Sequence, residues 1–164
     1  MRWSWKSLVI GMGCDTRPIR AMNPIQIVID TNVMVSASRS KRGASYELLR
    51  RLGDARFHLN ISNSLLLEYE EELKTEMKRQ GMHDVQGVDR FLDYLARLAN
   101  RWSIYSSLPV EGIDIEDQFV FDLAIASEAP VIVTYNLKHF RSARLYGVTP
   151  MWPGDFLKIL EKMR

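Results

Sequence analysis

The sequence predicts an α/β fold, a three-layer α/β/α sandwich around a mainly parallel central sheet. Two observations carry this. Short, β-branched runs alternate along the chain with segments of helical period, with no repeat or low-complexity segment between them. The first run, IQIVI at 25–29, lacks the polar alternation of a half-solvated strand and reads as buried on both faces.

After this strand comes Asp30, and the spacing turns helical at once. Thr31 and Asn32 are suited to cap a helix that carries Val33, Met34 and Ala37. SKRG makes a turn, and ASYELLRRL reads as a short helix with Tyr46, Leu48, Leu49 and Leu52 inward. FHLNIS at 57–62 is the second strand. Ser62 or Asn63 caps the long helix SLLLEYEEELKTEMKRQ, which Gly81 ends. From Asp84 to Arg101, Val88, Phe91, Leu92, Leu95 and Leu98 share one helical face. WSIYSSL is the expected third strand, followed by the helix DQFVFDLAIASEA and a fourth strand in APVIVT. Asn136 is positioned to cap the turn LKHF. GVTPMW suggests an edge strand, and PGDFLKILEKM a last helix with Pro153 at its first position.

With 164 residues, 46% hydrophobic and 26% charged, the chain suits one globular domain at residues 25–164. One cysteine, Cys14, excludes an internal disulfide framework and a cysteine-based zinc site. No apolar run approaches the roughly 20 residues needed to cross a bilayer. Both points favour a cytoplasmic protein. The net charge of +2 is unevenly placed, because residues 1–24 hold Arg2, Lys6, Arg17 and Arg20 against Asp15 alone. The basicity therefore belongs to this leader and is no argument for nucleic-acid binding by the fold. Its apolar piece, LVIGMG, is too short for a secretory signal and no small-x-small cleavage site follows. Residues 1–24 are read as an N-terminal extension, disordered or the product of a mis-assigned start, with Met22 as the true beginning. Within the fold, Arg39, Lys41, Arg42, Arg50 and Arg51 form a local basic cluster, a solvated helix face or a phosphate-contacting patch.

The β-to-α connections of a parallel sheet open on one edge, where open α/β folds bind ligands. Asp30 ends the first strand, Glu68 lies early in the helix after the second, Asp117 begins the helix after the third, and Asn136 follows the fourth. Carboxylates gathered there repel one another unless a cation separates them. Oxygen ligands suit Mg²⁺ or Mn²⁺ far better than zinc. Ending a buried strand in an unpartnered acid is costly, which singles out Asp30. Periodicity does not choose among Glu68, Glu70, Glu71 and Glu72, nor among Asp114, Glu116, Asp117 and Asp122. An acid at a helix start also offsets the helix dipole.

VIDTNV, SxxLLLEYEEEL, EDQFVFDLAIA and VIVTYNLKHF, in that order, resemble the four motif regions of the PIN-domain ribonucleases over about residues 25 to 152. The nearest likeness is to the toxin subunits of bacterial toxin–antitoxin pairs. The resemblance implies metal-dependent hydrolysis of RNA, with acids at Asp30, Glu68 and Asp117. Thr31 and Asn32 would orient ligands or substrate, and Thr134 and Asn136 occupy the family's T-x-D positions. Asn136 departs from the common fourth acid but can ligate through its carbonyl oxygen or orient a water. The resemblance further implies a homodimer blocked by a small antitoxin. The helix from Asp84 to Arg101, with Met77 and Met82, offers apolar side chains that suit either such an interface or the core.

Rival readings fit less well. A haloacid-dehalogenase phosphatase needs a second Asp two residues after the first, where this chain has Asn32, and a receiver domain needs an acidic pair after its first strand. A PIN-like module that binds RNA or protein without cleaving is the serious alternative, because of Asn136. His58, His83 and His139 show no ligand spacing. His139, the nearest to the site, reads as a surface or capping residue.

Overall fold

Ile27, Val28 and Ile29 are fully buried, so the strand they form needs cover on both faces and takes the centre of the sheet. The computed structural model describes residues 23–105 and 108–163. Its strands are β1 (Ile25–Ile29), β2 (Phe57–Ser62), β3 (Asn100–Trp102), β4 (Val131–Val133) and β5 (Thr149–Met151). They form one parallel sheet in the order β3-β2-β1-β4-β5. The helices among the described residues are α1 (Thr31–Arg39), α2 (Ala44–Arg50), α3 (Asn63–Arg79), α4 (Val85–Leu98), α5 (Gln118–Ala126) and α6 (Pro153–Lys162). The expectations about the leader, Cys14 and a start at Met22 lie outside the described residues.

The connections from β1 to β2 and from β2 to β3 step one way along the sheet, and the return from β3 to β4 steps the other way. Parallel crossovers are right-handed, so α1 to α4 cover one face and α5 the opposite one. That is the three-layer α/β sandwich expected. α6 closes the far side of the first layer: Phe156 meets Phe57 edge-on at 5.5 Å, and Arg56 donates to the Leu160 carbonyl at 2.7 Å. Among the described residues no helix is long and apolar enough to cross a membrane.

Several local expectations need correction. The helix with Val88 on its face stops at Leu98, not Arg101, and the third strand is Asn100–Trp102, earlier and shorter than WSIYSSL, of which Ser106 and Ser107 lie outside the described residues. The reason is polar. Asn100 donates to Gln26 and Asn60, and Trp102 donates to Asn60 at 2.9 Å, so amide side chains hold this exposed edge strand. Hydrophobic periodicity cannot find such a strand. Val88, Phe91, Leu92, Leu95 and Met77 are buried and Met82 packs partly covered against them, so they serve as core. Ser62 does cap α3, accepting from the Leu65 amide at 3.2 Å. By contrast, α1 has Asp30 at its cap position, and Thr31 and Asn32 lie inside the helix.

Candidate active site

Register places the site. Ile29 pairs with Val133, so the next residues, Asp30 and Thr134, leave the sheet side by side at its carboxyl edge. Thr134 donates its hydroxyl to Asp30 Oδ2 at 2.6 Å, and Asn32 donates Nδ2 to the same oxygen at 2.6 Å. Asn32 Nδ2 also reaches Thr134 Oγ1 at 3.2 Å, while its Oδ1 accepts from the Tyr135 amide at 3.1 Å. The backbone amide of Asn136 donates to Thr134 Oγ1 at 2.9 Å. Asp30 is 3% exposed and is held by donors from the end of β4 and from the first turn of α1.

Burial pushes the Asp30 carboxyl up to about 6, against the lowering effect of the Thr134 hydrogen bond, and the charge of Asp117 adds to the rise. Glu68 is also raised, first by burial and then by Asp30, Asp117 and Glu72, while the Thr31 hydroxyl opposes this. Three carboxylates from three connections therefore feel one another. Tyr69, next to Glu68, is wholly buried and donates its hydroxyl to the Ile29 carbonyl, which fixes this turn of α3 against the end of β1.

Glu70 pairs with Lys74, and Glu68 lies in the field of Asp30 and Asp117. Asp122 accepts from Gln118 at 2.8 Å and Asp114 caps the turn Ile115–Asp117, whereas Asp117 is in the field of Asp30. Asp117 also has a partner that sequence reasoning missed: His139 Nδ1 lies 2.7 Å from its Oδ2, with Asp114 at 3.9 Å. The loop before Asp117 docks on the turn after β4 through the bridge Ile113 to Phe140 and the Asp114 amide on the His139 carbonyl at 2.8 Å. Gly112 permits this approach, since its φ is +83° and a Cβ there would stand 2.9 Å from Ser142 Oγ. No local sequence signal announces a contact made by docking two loops. Asn136 does not cap its turn by side chain as expected; its backbone carbonyl accepts from the His139 amide instead.

The family model described as PIN domain matches residues 26–138. The chain belongs to the PIN-domain family. No curated protein matches it. PIN domains are generally nucleases that bind RNA and typically use divalent metals. Asp30, Thr31, Asn32, Glu68, Asp117, Thr134 and Asn136 all fall within the matched PIN segment, and His139 lies just beyond it. Among the described residues no three His, Cys, Asp or Glu side chains are grouped closely enough to hold a metal as they stand. The donor chemistry nevertheless fits a hard cation: the acids are oxygen donors whose charges oppose one another, and the buried Thr31 hydroxyl lies beside Glu68. The basic cluster is largely consumed elsewhere, Arg39 by Glu76 and Arg50 and Arg51 by Glu47. That supports the solvated-face reading over a phosphate patch.

Proposed function

We propose that this PIN domain is a metal-dependent endoribonuclease that hydrolyses RNA phosphodiesters in the cytoplasm, and that it is the toxin of a toxin–antitoxin pair. The observation that carries the reading is Asp30: a carboxylate sealed at the sheet edge, pushed up to about 6, in the field of a second acid. A cation relieves that repulsion.

Asp30, Glu68 and Asp117 would hold Mg²⁺ or Mn²⁺, with Asn136 offering a carbonyl oxygen or orienting a water. When bound, the ion supplies charge neutralisation at the scissile phosphate and makes water a stronger nucleophile. Asn32 and Thr134 fix the direction of Asp30 through their paired hydrogen bonds. His139 does the same for Asp117. Thr31 would offer its buried hydroxyl, beside Glu68, to ligand or substrate. Lys138 and Arg141, exposed along a shallow cleft with His139, supply positive charge for the RNA backbone.

Incubation of the purified chain with RNA in Mg²⁺, in Mn²⁺ and in chelator, beside Asp30→Asn, tests this. Cleavage that needs the metal and Asp30 is expected. Cleavage at the parental rate by Asp30→Asn, or undiminished in chelator, would show the assignment to be wrong. RNA binding with no product in either metal would instead establish the non-cleaving module that Asn136 in place of an acid favours. The toxin role, a homodimer and a small antitoxin rest on the motif resemblance. Light scattering and co-purification from cells test these, and a strict monomer that recovers no small protein would oppose them.

A further inference from the structure

We infer that Tyr69 is a positioning residue: through the carbonyl of Ile29, its hydroxyl sets how far Asp30 stands from Glu68, and with that the affinity of the acidic edge for a divalent cation. This rests on the metal-dependent reading above and adds to it a wholly buried residue that ligates nothing itself.

Leu65, Tyr69, Leu73 and Met77 belong to the buried stripe of α3. In such a stripe a phenylalanine fills the same space, whereas a phenol brings a hydroxyl that has to be satisfied away from water. Tyr69 is 0% exposed, and its hydroxyl donates to the Ile29 carbonyl. That carbonyl lies where the sheet parts. β1 pairs with β4 as far as Ile29 with Val133, but with β2 only as far as Ile27 with Leu59. The last carbonyl before Asp30 therefore lies beyond the β2 ladder, and a helix residue supplies a donor to it.

The same peptide unit is held at its other end. The Asp30 amide donates to the Val133 carbonyl at 2.9 Å. A peptide is planar, so gripping its oxygen from α3 and its N–H from β4 fixes the plane from which Asp30 departs. Glu68 directly precedes Tyr69, and the charges of Asp30 and Glu68 both act on the phenol. One hydrogen bond thus joins the backbone that carries one acid to the helical turn that carries the other. Without it α3 stays packed through its apolar stripe, but two carboxylates whose charges oppose each other are free to draw apart. A small divalent cation demands its oxygens at nearly fixed distances, so that drift weakens its binding.

The test compares the parent chain with Tyr69→Phe, which removes only the hydroxyl, and with Leu73→Val, which loosens the same stripe one turn further on. Calorimetry reads Mn²⁺ binding without RNA, and melting temperatures in chelator and RNA cleavage against Mn²⁺ concentration accompany it. Both variants should melt below the parent, Tyr69→Phe because the Ile29 carbonyl loses this donor and Leu73→Val because it leaves a void. Only Tyr69→Phe should bind Mn²⁺ more weakly, by roughly 10-fold, the low end of the effect of losing a group that orients metal ligands. Its half-maximal Mn²⁺ concentration for cleavage should rise to match. Parental Mn²⁺ affinity in Tyr69→Phe overturns the inference while the ribonuclease reading stands, as does an equal weakening in Leu73→Val or failure of Tyr69→Phe to fold. The expected loss of Mn²⁺ affinity in a chain whose parent cleaves no RNA upholds the positioning role and removes the ribonuclease reading. A parent that binds no Mn²⁺ overturns both.

Discussion

His139 Nδ1 stands 2.7 Å from Oδ2 of Asp117, tying an acid that precedes α5 to the turn that follows β4. An ionised carboxylate only accepts, so this contact places the imidazole hydrogen on Nδ1 and aims Oδ2. His139→Ala is expected to lower RNA cleavage roughly 10- to 100-fold, the usual effect of removing a partner that orients a metal ligand. His139→Asn, whose amide can reproduce the Nδ1 donor, should recover most of the loss. The divalent-ion concentration for half-maximal rate should rise in His139→Ala; an unchanged value together with an unchanged rate would show that the contact is only structural.

Asp30→Asn should abolish cleavage and still give a folded protein that is as stable as the parent, or more so, in chelator. The sign follows from the raised carboxyl. Its value near 6 exceeds the ordinary 3.8, so ionisation of Asp30 opposes folding, and this cost grows as pH rises from 3.8 through about 6. Removing the charge should gain about 1–3 kcal/mol at neutral pH. The comparison is of melting temperatures in chelator, and a clearly lower value for Asp30→Asn would contradict it.

The legible part of this molecule is the part written in apolar periodicity and in turn chemistry. β1, β2, α3 and α6 appear close to where IQIVI, FHLNIS, the Ser62 cap and Pro153 place them, because burial and capping act locally. Asp30 was conspicuous for the same reason, an acid at the end of a buried strand. Glu68 and Asp117 needed the fold, since what distinguishes them from neighbouring acids is which carboxylates face them across the edge. His139 and the strand at Asn100 were illegible. Each depends on a side chain meeting a distant partner, Asp117 in one case and Asn60 in the other, and neither meeting leaves a period in the sequence.

Asn136→Asp restores a fourth carboxylate next to Thr134, whose hydroxyl already accepts the residue-136 amide. Added charge should tighten divalent-ion binding, lowering the half-maximal Mn²⁺ concentration roughly 10-fold. In chelator the same charge has only like-charged company, so the melting temperature should fall. Unchanged Mn²⁺ dependence together with unchanged stability in chelator would mean that residue 136 stands apart from the other acids.

Glu76 supplies a pH test remote from the proposed chemistry. Arg39, at the end of α1, donates to its two oxygens at 2.9 and 2.8 Å, and Gln80 adds a third donor at 2.9 Å. The Arg39 hydrogen bonds, chiefly, hold the Glu76 carboxyl down to about 2, against burial, which raises it. A carboxyl lowered on folding contributes stability that is complete above its ordinary value of 4.5 and disappears as pH falls from there through about 2. Arg39 is 52% exposed, so solvent screens the pair, and the contribution is about 1–2 kcal/mol rather than the full shift. Glu76→Gln should therefore unfold at lower urea than the parent at neutral pH, with the gap narrowing between pH 4.5 and about 2. Urea titrations of both proteins across that interval decide the matter: a gap that stays constant, or widens toward acid, would show that the ionised pair between α1 and α3 does not hold the two helices together.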